Sequence, residues 1–117
     1  MWLWLPVVLY MVGIFAASSI VDPPMPKNVP DVSLHEIVYF GLTLLLIRAL
    51  SSETWSGVTM TTLIAAFVIA VAYGVSDEWH QSFVPTRHAD MRDLGADALG
   101  AFAATALVGA WGIIRRL

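Results

Sequence analysis

The segment SDEWHQSFVPTRHADMRDLGADALG, residues 76–100, gathers half of the charged and histidine residues of an otherwise apolar chain. The protein has six basic and nine acidic residues, and Asp77, Glu78, Arg87, Asp90, Arg92, Asp93 and Asp97 all lie here, with His80 and His88. Asp93 and Asp97 are one helical turn apart and share a helix face, and Asp77 and Gln81 do the same if the third helix continues past residue 76. Carboxylates and imidazoles beside one guanidinium can move protons and stabilise developing charge. A guanidinium can also hold an anionic group through paired hydrogen bonds. Pro85 ends any helical continuation, which places Arg87 and His88 at a bend. An antiparallel helix pair flanking that bend would set Asp77, Glu78 and Gln81 opposite Asp93 and Asp97, with Arg87 bridging the two groups. Asp93 can alternatively cap the second helix or complement its dipole. Asp97 lies a turn deeper in apolar sequence, where a carboxylate needs a partner or a proton. Arg87 and Arg92 are the counter-ions expected for it.

The elements that position these groups follow from composition. Of the 117 residues, 58% are hydrophobic and 13% charged, and the mean hydropathy is strongly positive. A soluble core of this size could not hide so much apolar surface. Membrane-spanning helices solve the problem because they satisfy their own backbone hydrogen bonds. The expected fold is all-α, one integral membrane bundle of four transmembrane helices over residues 1–117. The helices are expected at about 1–20, 34–50, 58–76 and 93–114. The first run lacks the Lys or Arg of a cleavable signal peptide and is read as a span. Pro23, Pro24, Pro26 and Pro30 forbid regular structure in the first connection. Ser33 and Glu36 fit a capping box for helix two, with Asp31 as the alternative N-cap.

Helix four is rich in Gly and Ala, and Ala96 and Gly100 have small-xxx-small spacing. That pattern permits close backbone approach, so this helix is expected to be packed and central. The Lys and Arg counts on the two membrane faces tie, which leaves orientation to the Arg115–Arg116 pair; both termini are expected inside. With no cysteine, disulfides and thiolate metal sites are excluded. The net charge is −3 with no basic run, which argues against nucleic acid as a partner.

The segment from Asp77 to Gly100 resembles the signature of the VanZ-like membrane proteins: an Asp-Glu pair, a Gln three residues on, an aromatic, Pro-x-Arg, an Asp, and an Asn-x-x-Gly stretch. Asp77, Glu78, Gln81, Phe83, Pro85, Arg87, Asp93 and Gly100 stand at those positions. PDVSLHEIVYFGLTLLL is similar to the family's upstream segment, with Asp31 and His35 in its polar places. The sequence departs at Thr86, where Gly is usual, and at Asp97, where Asn is usual. The family is named for a protein linked to low-level teicoplanin resistance, and no settled reaction comes with the name. The resemblance implies a bacterial multi-pass protein of the cytoplasmic membrane.

Three functions compete. In a binding role, Arg87, Gln81, Asp93, Asp97 and Asp31 hold a membrane lipid headgroup, a lipid-linked cell-envelope precursor or a glycopeptide. On that reading, Arg87→Lys weakens lipid or precursor retention in detergent. In an enzymatic role, Asp77 or Glu78 acts as base and His35 or His80 shuttles protons on a lipid or lipid-linked substrate. In a structural role, the polar cluster only clamps helices. No cofactor is expected. DEWHQ has one His rather than two four residues apart, so no metal signature is present.

Overall fold

A computed structural model describes residues 2–20, 31–85 and 91–115. Four helices form: α1 (Leu5–Ser18), α2 (Asp31–Leu50), α3 (Met60–Gln81) and α4 (Met91–Arg115). No strand occurs among the described residues. The last three are long and apolar enough to cross a membrane, while α1 is a shorter apolar helix of 14 residues. Pro6 lies in its first turn, where a missing N–H costs little, and this sets its start at Leu5 rather than at the chain's first residue.

Other boundaries also move from expectation. Helix α2 begins at Asp31, so Ser33 lies inside the first turn and is not a cap. The capping box is found on α3 instead. There the Thr59 side chain accepts from Thr62 N–H at 3.2 Å, and Thr59 N–H donates to Thr62 Oγ1 at 2.8 Å. Helix α3 then runs through the charged residues to Gln81 rather than stopping at Ser76. Asp, Glu and Gln do not break a helix, and the first residue that must is Pro85. This extension carries Asp77, Glu78 and Gln81 on rigid backbone.

The centre of the bundle is α2, which touches each of the other three helices. Tyr39, Leu42, Thr43, Leu46 and Ile47 recur at helical spacing along its buried side. Helix α4 packs most extensively against α2, and Ala96, Gly100, Ala101 and Ala104 are among its buried residues. A Cβ added at Gly100 would collide with the backbone carbonyl of Glu36 on α2. Leu99, Phe102 and Leu107 face outward, as lipid contact requires. Thus α4 is closely packed, as its small residues imply, but it lies to one side. Helix α1 packs against α2 and α3 on the other side.

Two tyrosines fasten α1. Tyr10 donates from its hydroxyl to the Val38 carbonyl at 2.7 Å, and Tyr73 donates to the Met11 carbonyl at 2.5 Å. Interhelical hydrogen bonds in membranes average about 0.6 kcal/mol. Replacing both tyrosines with Phe is therefore expected to lower stability by roughly 1 kcal/mol. Thermal unfolding in detergent checks this; no loss in the double variant would show that apolar packing alone holds α1.

The connectivity alternates, so the C-terminal ends of α1 and α3 meet the N-terminal ends of α2 and α4. The opposite end carries Trp55 beneath the Arg115 guanidinium, 4.9 Å from the ring centroid. There Arg48 also pairs with Glu53, its Nε donating to Oε1 at 2.6 Å. These are suitable anchors for a membrane–water boundary.

Candidate functional site: a buried carboxylate–imidazole cluster

At the first end, α3 supplies Asp77, Glu78 and Gln81, and α4 supplies Asp93 and Asp97. All five are buried, with Asp97 at 0% exposure. Their residue numbers explain this: 77, 78 and 81 fall within one turn and share the inward face of α3, and 93 and 97 stack one turn apart on α4. From α2 comes His35. Its Nδ1 lies 2.6 Å from Asp97 Oδ1, and its Nε2 lies 3.8 Å from Asp93 Oδ2. The two ring nitrogens therefore face two different carboxylates of α4. Contact with a carboxylate fixes the orientation of an imidazole and, for a neutral ring, its tautomer.

The close approach of α2 and α4 makes this pair possible. Gly100 is three residues from Asp97, and Glu36 follows His35; the point where Gly100 meets the Glu36 backbone lies one turn from the His35–Asp97 bond. Gly74 plays a matching part on α3, since a Cβ there would lie 2.9 Å from Asp97 Oδ2 and 3.4 Å from the Tyr39 ring. Tyr39 is one turn below His35 on α2, its ring nearly parallel to the imidazole at 6.4 Å. Its hydroxyl is buried and has no hydrogen-bond partner among the described residues. Neither Tyr39 nor Gly74 was singled out in the sequence, where each reads as ordinary span composition.

The α1 end closes one side. Gln81 donates to Ser18 Oγ at 3.3 Å and makes a longer contact of 3.5 Å to Asp77 Oδ2. His80, a candidate proton shuttle, is placed elsewhere. Its Nε2 is 2.9 Å from Ser19 Oγ and its ring stacks on Phe15 at 4.2 Å. It thus belongs to the α1–α3 contact. Trp79 and Phe83 are 69% and 70% exposed and meet edge to face, as interfacial aromatics do.

Asp93 lies in the first turn of α4, buried, so it complements the helix dipole without being the N-cap. Asp31 is the first residue of α2, and its side chain lies outside the described residues. Arg87, His88 and Asp90 also lie outside them, as does the expected bridge from Arg87 to the acids. Arg92 is exposed at the start of α4. For Asp97, the described residues bring an imidazole.

Chemically, the cluster combines oxygen acceptors, an oriented imidazole and a buried phenol. It can accept hydrogen bonds from a polar group, exchange protons, or hold a cation. His35, Glu78 and Asp97 together offer a nitrogen and two carboxylate oxygens that lie within 4.8 Å of one another.

No curated protein and no solved structure gives a significant match to the chain. A family model described as VanZ/LLP1 matches residues 2–113, which include α1, α2 and α3, all but the last two residues of α4, and every member of the cluster. The match spans nearly the whole sequence, and with its long apolar helices this chain belongs to the VanZ/LLP1 family as a multi-pass helical membrane protein.

Proposed function

We propose that the cluster binds the polar head of a membrane lipid or lipid-linked cell-envelope precursor at one face of a bacterial cytoplasmic membrane. The observation that carries this reading is the burial of Asp77, Glu78, Gln81, Asp93 and Asp97 around His35 at one end of the bundle. Ionisable groups within spanning helices are expensive and mark functional sites by default. A set dominated by acceptors favours ligand groups that donate, such as sugar hydroxyls or an ammonium. The sequence reading assigns the anionic part of the same ligand to Arg87. Binding of a precursor would also supply a route to teicoplanin resistance, by withholding or altering what the glycopeptide recognises.

The test is lipid retention by the full chain purified in mild detergent, read by native mass spectrometry. Glu78→Gln keeps size and removes charge. Loss of a charge-assisted hydrogen bond is worth about 1.5–3 kcal/mol, so retention should fall at least about tenfold. An unchanged lipid complement in a folded Glu78→Gln variant would sink the binding reading.

A second reading is catalysis on the same lipid class. The 2.6 Å His35–Asp97 contact favours it, because a carboxylate that orients an imidazole prepares it as a general base. Lipid profiles of cells with the protein, without it, and with His35→Gln discriminate. An envelope species that changes with the wild type and not with the variant supports catalysis; identical profiles exclude it.

A further inference from the structure

We propose that His35, Glu78 and Asp97 form a binding site for one divalent transition-metal cation, of which Zn2+ is the best chemical match. The three residues come from α2, α3 and α4, and one donor atom from each lies within 4.8 Å of the others. In the tetrahedral geometry of zinc sites, ligand distances of about 2.0–2.2 Å put donor atoms roughly 3.4 Å apart. Side-chain rotations that draw in the wider separations and open the 2.6 Å His35–Asp97 contact would bring the three to bonding distance. One imidazole nitrogen and two carboxylate oxygens are a borderline donor set, suited to Zn2+ and closed to metals that require thiolate. Three protein ligands also leave a coordination position open, the arrangement of zinc sites that bind a further ligand.

The surroundings fit a cation. His35 has a carboxylate facing each ring nitrogen, Asp97 at Nδ1 and Asp93 at Nε2. With Nδ1 on the metal beside Asp97, Nε2 faces Asp93 Oδ2 at 3.8 Å, and closing that gap to hydrogen-bond distance would supply the outer partner that metal-bound histidines use. Asp77 and Asp93 are buried at the same end as the trio, so acidic side chains surround the place a cation would take. Independent of the carboxylates is Tyr39. It is 1% exposed, its hydroxyl has no hydrogen-bond partner among the described residues, and it lies in the field of Asp77, Asp97 and Glu78. A buried phenol needs an acceptor. Water or hydroxide completing the metal's coordination would place one there.

The inference goes beyond the headgroup reading but uses the same residues, so the test separates them. The full chain, without a polyhistidine tag, is stripped with chelator in detergent and titrated with Zn2+ calorimetrically. Co2+ serves as the absorption probe. The wild type should bind one equivalent. Glu78→Gln and His35→Gln should weaken binding by more than about 100-fold, beyond the loss typical of an outer-shell partner. His80→Gln, outside the trio, should bind like the wild type. X-ray absorption of the Zn2+-loaded wild type should show one imidazole and otherwise oxygen ligands; this holds whether or not a variant folds. Absence of a wild-type equivalent, unaltered affinity in folded Glu78→Gln, or two imidazoles at the metal would each overturn the site. Lipid retention measured on the same stripped protein reads the headgroup proposal separately, and its persistence alongside failed metal binding would leave that proposal standing.

Discussion

Replacing Asp97 with alanine is expected to lower the stability of the bundle by roughly 3 kcal/mol, while Asp97→Asn leaves it folded. Asp97 is fully buried and its Oδ1 lies 2.6 Å from His35 Nδ1. Removing the carboxylate strips an acceptor from a buried imidazole and leaves a void between α2 and α4. An uncompensated polar group in that setting costs its desolvation, which exceeds the net worth of the bond it lost. Asparagine keeps an oxygen in the same place and accepts from the same N–H. It is also the residue that the resemblance places there. What Asn removes is the negative charge, and with it the ability to stabilise a protonated His35 or to bind a metal firmly. The pair of variants therefore separates scaffold from function. Thermal unfolding in detergent reads the first, and lipid retention and Zn2+ titration read the second. A folded Asp97→Asn protein with wild-type lipid and metal binding would show that the charge at this site is dispensable.

The second large effect is expected at Gly100. Even Gly100→Ala should cost about 1–3 kcal/mol, and Gly100→Leu more. The added Cβ meets the Glu36 carbonyl and comes within 3.1 Å of the Glu36 Cα, and backbone cannot rotate away as a side chain can. To relieve the clash α4 must move off α2, and this pulls Asp97 from His35. Loss of fold and loss of the site should therefore appear together. Gly95 is the internal control. A Cβ there meets nothing within 4 Å, so Gly95→Ala should be neutral or stabilise by up to about 1 kcal/mol through helix propensity. Equal behaviour of the two alanine variants in detergent unfolding would contradict the close-packed α2–α4 seam.

Sequence and structure agree most where the signal is local. Apolar runs of sufficient length read as helices because a bilayer accepts few other solutions. The Ala96–Gly100 pattern indicated a tight helix contact, and both residues are buried in one. Boundaries were less legible. The sequence reading places the end of the third helix near residue 76, yet Asp77, Glu78 and Gln81 do not break a helix, and α3 continues to Gln81.

His80 shows the limit of residue type as a guide. It stands two residues from Glu78 on the same helix, with the same chemistry as His35. At about 100° per residue it falls roughly 60° outside the face shared by Asp77, Glu78 and Gln81. That offset delivers it to Ser19 and Phe15 of the α1 end instead of to the acids.

The amino-acid sequence by itself determined a bundle of apolar helices, a small-residue seam and a polar cluster at one membrane face. Those properties depend on composition and on spacings of three or four residues, which any helix converts directly into faces. Only the tertiary structure decided which polar groups meet. His35 and Asp97 are 62 residues apart, and the three potential metal donors come from three helices, so no spacing motif could contain them. Their meeting depends on how far apart α2 and α4 pack, and that distance is set by one missing Cβ, at Gly100.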